Sequence, residues 1–297
     1  MTPDEILKRV CQSLDVLIGL GDQFEGLWPS IVDLSTNQMM MTMPQGIAGQ
    51  RDGDRSHLGC NLIHDQAALK TLYGLAKTLE RPDSALAADR YIKRFATHCT
   101  DTPTGIFPWG EHAYWHLAED RVGDSYQLRN DGRQSQTTHD HLRQAPLWLW
   151  EKIWAYHPKA VEQFAEGING HWTEGEPLEY IRHAYIMEKR SYVRGKRSCD
   201  FPRHGGFYIF DWAFAYVQTG REDFVEQIHR MLDYWWHRKD ALGLLLIESR
   251  CPEDDENFYQ VNAPGQTLSL GVSLLESANL LEERLPDLAQ TMRERAA

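Results

Sequence analysis

The pattern of apolar and polar positions predicts a chain built mainly of helices. Thr2, followed by Pro3 and Glu5, is a capping-box signature, and apolar residues at helical spacing continue from it to Gly19 or Gly21. Helical periodicity returns from Asn61 to Glu80. It also recurs in segments that begin at Pro82, Leu147, Ala160 and Gln266, and in a short polar segment that ends near Arg295. No alternation of strands and helices is evident, so a parallel sheet is not expected.

Two stretches of the chain repeat one design of paired helices. The stretches 74–98 and 213–237 each read as a helix, a tight break and a second amphipathic helix, and a glycine-containing loop follows each of them. Repeated helical hairpins predict an all-α chain with the architecture of an α/α toroid. About nine or ten helices are expected, whereas a complete ring of six hairpins needs twelve, so the ring is expected to be incomplete. We expect one domain over residues 1–297, with a long irregular loop at about 22–60 that holds one short hairpin.

Composition and charge narrow the class of protein. The 31 basic and 43 acidic residues give a net charge of −12, which argues against nucleic acid or an anionic membrane as a partner. No apolar run reaches the roughly 20 residues of a membrane span. Five scattered cysteines do not form a thiolate zinc site and fit a reducing compartment. The location expected is cytoplasmic as the sequence stands, or periplasmic or secreted if a leader was removed; the oligomeric state stays open.

A basic segment interrupts this acidic chain. Between Arg182 and Arg203 there are seven basic and two acidic residues, a local charge of +5. Such a segment can attract an anionic oligosaccharide or polysaccharide, although a solvated helix face or a contact between subunits would have the same composition. The 10 Trp, 12 Tyr and 10 Phe include rings that could stack on sugars. Trp109 and Trp172 are the better candidates, because the other tryptophans follow the apolar stripes of helices.

Three short segments concentrate polar side chains, and each is expected in a loop or at the start of a helix. They read FPWGEHAYWH from Phe107, HDHLRQAP from His139 and DFPRHGGFY from Asp200. Two imidazoles and a carboxylate from separate segments could bind a divalent cation, and the candidates are His112, Asp140 and His204. Mn²⁺ is favoured, with Zn²⁺, Ni²⁺ or Fe²⁺ as alternatives. These histidines could equally serve to pack loops together.

The same segments resemble the family 2 polysaccharide lyases, which are pectate and exopolygalacturonate lyases on an α/α barrel. The resemblance covers roughly residues 105–216 and rests on three motifs: Trp109-Gly110-Glu111-His112, then His139-Asp140 with Pro146 and Trp148, then Arg203-His204-Gly205. In two places the sequence departs from the family pattern. Glu111 replaces a glycine, and Asp140 replaces the usual glutamate ligand, which shortens its reach by one methylene.

The resemblance implies a function and a set of roles. It implies a metal bound by His112, Asp140 and His204, Arg203 as the Brønsted base, and β-elimination in a uronate-containing, pectate-like polysaccharide or oligosaccharide. Substrate-binding candidates are Trp109, Glu111, Tyr114, Arg143, Trp172, Arg182 and Tyr208. One alternative is a glycoside hydrolase on the same fold that uses Glu111 with Asp140 or Asp200. A sugar epimerase with histidine acid and base, and a non-catalytic carbohydrate-binding protein, are further alternatives.

Overall fold

A computed structural model describes residues 1–48, 56–125, 144–174, 179–191, 201–247 and 263–297, and the backbone of 139–140. Within these ranges there are nine α-helices and a few short strands, which confirms the all-α prediction. The described residues form two compact units. Unit 1 comprises Met1–Pro103, Phe107–Asp140 and Leu147–Ala160; unit 2 comprises Thr104–Ile106, His141–Pro146 and Val161–Ala297. The single domain over 1–297 stays a prediction.

The helices of unit 1 begin where the capping signals predict. α1 (Pro3–Gly21) has a full capping box, in which the Glu5 amide donates to Oγ1 of Thr2 and the Thr2 amide donates to the Glu5 carboxylate. The next two helices, α2 (Leu62–Thr78) and α3 (Pro82–Arg94), form the first predicted hairpin and pack against each other. A π-helical turn, Phe95–Cys99, extends α3, and α4 (Leu147–Tyr156) packs against α3.

The strands of unit 1 lie partly in the predicted loop and partly outside it. β1 (Val32–Asp33) and β2 (Gln38–Met39) form the short hairpin expected within 22–60. A three-stranded antiparallel sheet was not expected; it has the order β3 (Gly59–Cys60), β4 (Ala113–His116) and β5 (Arg121–Asp124). The expectation that the FPWGEHAYWH segment is loop or helix start was therefore wrong for its second half. In the three-stranded sheet, Trp115 of β4 pairs with Cys60 of β3 on one side and with Val122 of β5 on the other, and β4 is entirely buried.

The helices of unit 2 form the second copy of the hairpin and a C-terminal pair. α5 (Pro158–Gly167) begins with residues assigned to unit 1 and continues as a 3₁₀ turn, Ile168–His171. Two short strands follow β5 in chain order: β6 (His139–Asp140), before α4, and β7 (Ala184–Tyr185), after the 3₁₀ turn. The second hairpin is α6 (Pro202–Thr219) and α7 (Glu222–Trp236). The last helices are α8 (Pro264–Leu281), which packs on α6, and α9 (Pro286–Ala296).

The two hairpins agree in backbone conformation as well as in sequence. The chain leaves the first helix of each pair through one left-handed residue, Glu80 with φ of 51° and Gly220 with φ of 72°. The loop after each pair also turns at a left-handed glycine, Gly105 with φ of 81° and Gly243 with φ of 82°. The left-handed region favours glycine, and glycine occupies three of these four positions; Glu80 is the exception. The internal repeat predicted from the sequence is confirmed.

Two adjacent glycines allow α6 to approach both of its helical neighbours. A Cβ on Gly205 would lie 2.0 Å from Nε1 of Trp235 in α7, and a Cβ on Gly206 would lie 2.8 Å from Cβ of Ser273 in α8. Any side chain at either position would push the helices apart. The first turn of α6, which holds Arg203 and His204, is thus fixed by packing on α7 and α8.

Candidate functional site

Two arginines share one aromatic ring in unit 2. The Cζ atom of Arg182 lies 4.6 Å from the ring centroid of Phe201, and that of Arg203 lies 5.6 Å from the same centroid. Contacts of this kind between guanidinium groups and an aromatic face are attractive, but they do not neutralise the cations. Nε and Nη1 of Arg182 are buried and make no hydrogen bond with any described residue. Buried guanidinium donors of this kind are costly unless an acceptor binds to them, so the arrangement is suited to an anion.

The start of α6 adds a second favourable feature for an anion. Pro202 occupies the first helical position, so Arg203 and His204 follow within the first turn; of the two positions expected, a loop or a helix start, the structure has the helix start. No side chain caps this end of the helix. The aligned peptide dipoles of the 18-residue helix place partial positive charge there. The positive end of α6 and the two arginines, Arg182 and Arg203, together favour the binding of a carboxylate at the start of this helix.

His204 lies beside the ring of Phe201 and close enough to Arg182 and Arg203 to be affected by their charges. Its side chain is almost completely buried, and its ring centroid is 5.8 Å from that of Phe201. Burial lowers the pKa of His204 well below the usual value, and the charges of Arg203 and Arg182 act in the same direction. The imidazole is therefore neutral near pH 7, which is the form that either accepts a hydrogen bond or ligates a metal.

Tyr208, predicted to bind substrate, is fully buried one turn after His204. Its hydroxyl lies 2.9 Å from Nδ1 and 3.2 Å from Nε2 of His171. The same Nδ1 lies 2.9 Å from the carbonyl oxygen of Ile181, the residue before Arg182. In this structure Tyr208 thus contacts His171 inside unit 2, and its predicted role in substrate binding stays a prediction.

Trp172 is also enclosed by its neighbours in unit 2. Only 5% of its surface is exposed, and its ring packs edge-on against Tyr180 and Tyr234, with centroid distances of 6.0 and 5.4 Å. The guanidinium of Arg230 lies 4.6 Å from the ring centroid. A role in stacking on sugars stays a prediction; the observed contacts are those of a packed core ring.

The predicted residues of unit 1 lie around β4. Trp109 is fully buried and packs against Phe107 and Trp150 at centroid distances of 5.0 and 5.1 Å, so in this structure the ring fills the core rather than facing solvent. The ring of Tyr114 lies over Gly59 and Gly123, where a Cβ would come within 2.2 and 2.7 Å of it. Burial raises the pKa of Tyr114 to about 12.

Glu111 and His112 immediately precede β4. Glu111 is half-buried, and His112 is buried, with its carbonyl oxygen accepting hydrogen bonds from the amide and hydroxyl of Ser125 at 2.9 and 3.0 Å. Asn61 braces the same turn, because its side-chain amide donates to the carbonyl oxygen of Gly110 at 2.9 Å. These contacts hold the backbone of the segment, while the roles assigned to the two side chains stay predictions.

The predicted metal ligands are not brought together by what the structure describes. Within the described residues, no three His, Cys, Asp or Glu side chains are grouped closely enough to hold a metal ion. His112 belongs to unit 1 and His204 to unit 2. The side chain of Asp140, all of Arg143 and residues 192–200 lie outside the described residues. The metal ligand set therefore stays a prediction.

Sequence reasoning missed His171 and His183, two other imidazoles close enough to contribute to the lowered pKa of His204. Each stands directly beside a predicted residue, His171 before Trp172 and His183 after Arg182. That adjacency was the one available signal. Their importance depends on contacts across unit 2 that no spacing in the sequence encodes.

Comparison with solved structures concerns the fold. The chain is similar to D-mannose isomerase, with a TM-score of 0.50 and 12% identity over 89% of this chain and 63% of that one. At this identity the likeness shows the fold alone, and it confirms the predicted α/α-toroid class. The chain also matches unsaturated glucuronyl hydrolase from Bacillus sp. GL1, responsible for the degradation of glycosaminoglycan, with a TM-score of 0.43 and 14% identity over 77% of this chain. The chain spans 63% and 57% of the lengths of these two proteins.

Comparison at the level of sequence identifies a family. No curated protein matches the chain. The family model described as periplasmic pectate lyase matches residues 41–232, which include the three polar segments and both arginines. The family's description gives no support to a cytoplasmic location. Among the described residues no helix is both long enough and apolar enough to cross a bilayer. Because the match spans more than half of the sequence, the chain belongs to the periplasmic pectate lyase family.

Proposed function

We propose that the protein is a polysaccharide lyase that cleaves a uronate-containing, pectate-like poly- or oligosaccharide by metal-assisted β-elimination, with Arg203 as the base. Membership of the pectate lyase family supports an enzyme that acts on carbohydrate. The observation that carries the proposal is the anion site at the start of α6, where buried Arg182 donors lie beside Arg203. By the same family description, we propose a periplasmic location.

The charges at this site match the difficult step of the reaction. β-Elimination removes the C5 proton of a uronate, breaks the bond from C4 to the glycosidic oxygen and forms a double bond between C4 and C5. The released oxygen takes up a proton, so the two products together have the mass of the substrate. Negative charge grows on the carboxylate next to C5 as the proton leaves. Arg182 and the positive end of α6 stabilise that charge, and they do so more strongly in the transition state than in the ground state.

Arg203 must be neutral to accept the proton. A guanidinium is normally protonated, so the surroundings of a base of this kind have to disfavour its charged form. Arg182 supplies one such influence, because two like charges share the ring of Phe201. His204 adds no charge of its own, since burial keeps its imidazole neutral.

The proposed metal, Mn²⁺ by preference, would be held by His112, Asp140 and His204. When bound, such an ion would neutralise charge on the substrate carboxylate. The neutral imidazole of His204 is in the correct protonation state for a ligand, although the cations around it oppose a further positive charge. The described residues do not complete this site, so the steps above use only the arginines and the helix terminus.

A direct assay measures the formation of unsaturated uronate. The protein is incubated with polygalacturonate and with other uronate polymers, with Mn²⁺ or with chelator, and ultraviolet absorbance is followed. We expect absorbance to rise with at least one polymer, and to be lost in Arg203→Ala. For Arg182→Gln we expect kcat/KM to fall by about tenfold to a hundredfold, because a charge-assisted hydrogen bond contributes about 1.5 to 3 kcal/mol.

Arg190→Gln is the matched control for these variants. Arg190 belongs to the same basic segment and also lies over an aromatic ring, that of Tyr185 at 5.2 Å, but its side chain is exposed. This variant should keep the activity of the unmodified protein. If Arg190→Gln weakens substrate binding as much as Arg182→Gln, diffuse charge explains the binding and the anion site is wrong. Absence of any rise in absorbance on all polymers would overturn the lyase proposal.

A further inference from the structure

His171 connects the two segments that carry the arginines. It ends the 3₁₀ turn after α5, and residues 171–173 pair antiparallel with residues 179–181. The backbone carbonyl of His171 accepts from the Ile181 amide at 2.8 Å, and the side chain of His171 returns to the Ile181 carbonyl at 2.9 Å. The backbone just before Arg182 is therefore held by His171 from both its amide and its carbonyl.

The His171 ring also contacts α6. The Tyr208 hydroxyl is within hydrogen-bond distance of the imidazole, and the two ring centroids are 4.7 Å apart. Tyr208 is four residues after His204, so it lies directly below His204 on the same face of the helix. The His171 ring thus spans from the Arg182 segment to the first turns of the helix that carries Arg203.

The protonation state of His171 follows from its partners. The Ile181 carbonyl can only accept, so Nδ1 carries the proton and donates to it. The Tyr208 hydroxyl lies 2.9 Å from the same Nδ1 and 3.2 Å from the unprotonated Nε2, which is the acceptor of the ring. Burial supports this state, because it lowers the pKa of His171 to about 3. The neutral ring has one donor and one acceptor, and both are used. Both residues are at least 99% buried, which leaves little room for either ring to turn.

We propose that His171 and Tyr208 are positioning residues that set the separation of Arg182 and Arg203, and hence the affinity for a uronate carboxylate. This inference rests on the proposed function. In this role Tyr208 acts through His171, and not by the direct substrate contact predicted from the sequence. Loss of the bridge frees the Arg182 segment to shift relative to α6, and a small shift weakens an anion site built from two separate segments.

The test compares four variants in binding and in turnover. Tyr208→Phe removes only the hydroxyl. His171→Asn keeps a donor for the Ile181 carbonyl but has no atom at the position of Nε2, and His171→Ala removes both ring nitrogens. Trp212→Phe is the control, since it removes another buried hydrogen bond of α6, the 2.9 Å bond from Trp212 Nε1 to the Ala165 carbonyl, about one turn after Tyr208. The measurements are calorimetric binding of saturated trigalacturonate, KM and kcat on polygalacturonate, and the thermal midpoint.

The expected result is a graded loss of binding. Kd and KM should rise about threefold to tenfold in Tyr208→Phe and His171→Asn and more in His171→Ala, with kcat changed less than KM. Trp212→Phe should lower the thermal midpoint without raising KM. If the His171 and Tyr208 variants lower only the thermal midpoint, as the control does, the positioning role is wrong although the lyase proposal stands. If the unmodified protein neither binds trigalacturonate nor cleaves any uronate polymer, the proposed function fails, and this inference fails with it.

Discussion

The close contact between α6 and α7 makes a sharp prediction for Gly205→Ala. The added methyl group would lie 2.0 Å from Nε1 and 2.6 Å from Cδ1 of Trp235, where ordinary contacts are 3.4 to 4 Å. Trp235 is 1% exposed and packs against Tyr180 and Tyr234, so its ring cannot rotate away freely. Overpacking of this kind costs about 1 to 3 kcal/mol, and the higher helix propensity of alanine recovers up to about 1 kcal/mol. The free energy of unfolding should fall by about 1 to 2 kcal/mol.

Gly265→Ala provides the comparison in the same unit. Gly265 also lies in a helix, α8, but a Cβ there would meet nothing within 4 Å. The substitution should leave the free energy of unfolding unchanged or raise it by a few tenths of a kcal/mol. Urea unfolding followed by tryptophan fluorescence measures both variants, and Trp235 itself reports on the contact. If Gly205→Ala is as stable as Gly265→Ala, the packing that fixes the first turn of α6 is wrong.

Two further predictions concern titration and metal content. Burial raises the pKa of Asp65 to about 6, above its ordinary value of 3.8, although the Tyr91 hydroxyl donates to it at 2.6 Å. The folded protein therefore binds the Asp65 proton more tightly than the unfolded chain, and this contribution to stability, at most about 3 kcal/mol, is present below pH 4 and is lost as the pH rises through 6. Asp65→Asn should flatten the pH dependence of urea midpoints between about pH 4 and 7, and an unchanged slope would contradict it. Elemental analysis should find about one divalent ion per chain in the purified protein and much less in His204→Ala; equal contents would remove His204 from the ligand set.

Local signals explain why the helices could be predicted. The capping box at Thr2 and the prolines that start α3, α6, α8 and α9 act within one turn of the chain, so the sequence alone contains them. The hairpin repeat is visible for the same reason, since the amphipathic pattern and the break before each second helix recur in the sequence itself. For Arg203 and His204 the sequence left a loop and a helix start open, and Pro202 at the first helical position is the local signal for the helix start.

Distant partners explain what the sequence did not reveal. β4 is a strand because it pairs with Gly59–Cys60, more than fifty residues earlier, and nothing within the segment indicates that partner. Trp109 is directly followed by Gly110 and Glu111 in sequence, yet the ring of Trp150, far along the chain, packs against its own at 5.1 Å. His171 matters through Ile181 and Tyr208, which lie 10 and 37 residues away along the chain. Contacts of this kind are set by the packing of helices, and the pattern of polar positions does not record them.

The mass of the product released from polygalacturonate tests the central claim most directly. Elimination breaks the glycosidic bond without adding water. The fragment on the reducing side of the cleaved bond therefore has an unsaturated uronate at its new non-reducing end, and it is lighter by one water molecule than the corresponding hydrolysis product. We predict this lighter series by mass spectrometry, together with its loss in Arg203→Ala and its persistence in Arg190→Gln. Detection of only saturated oligosaccharides, each containing an added water, would contradict the account and show a hydrolase.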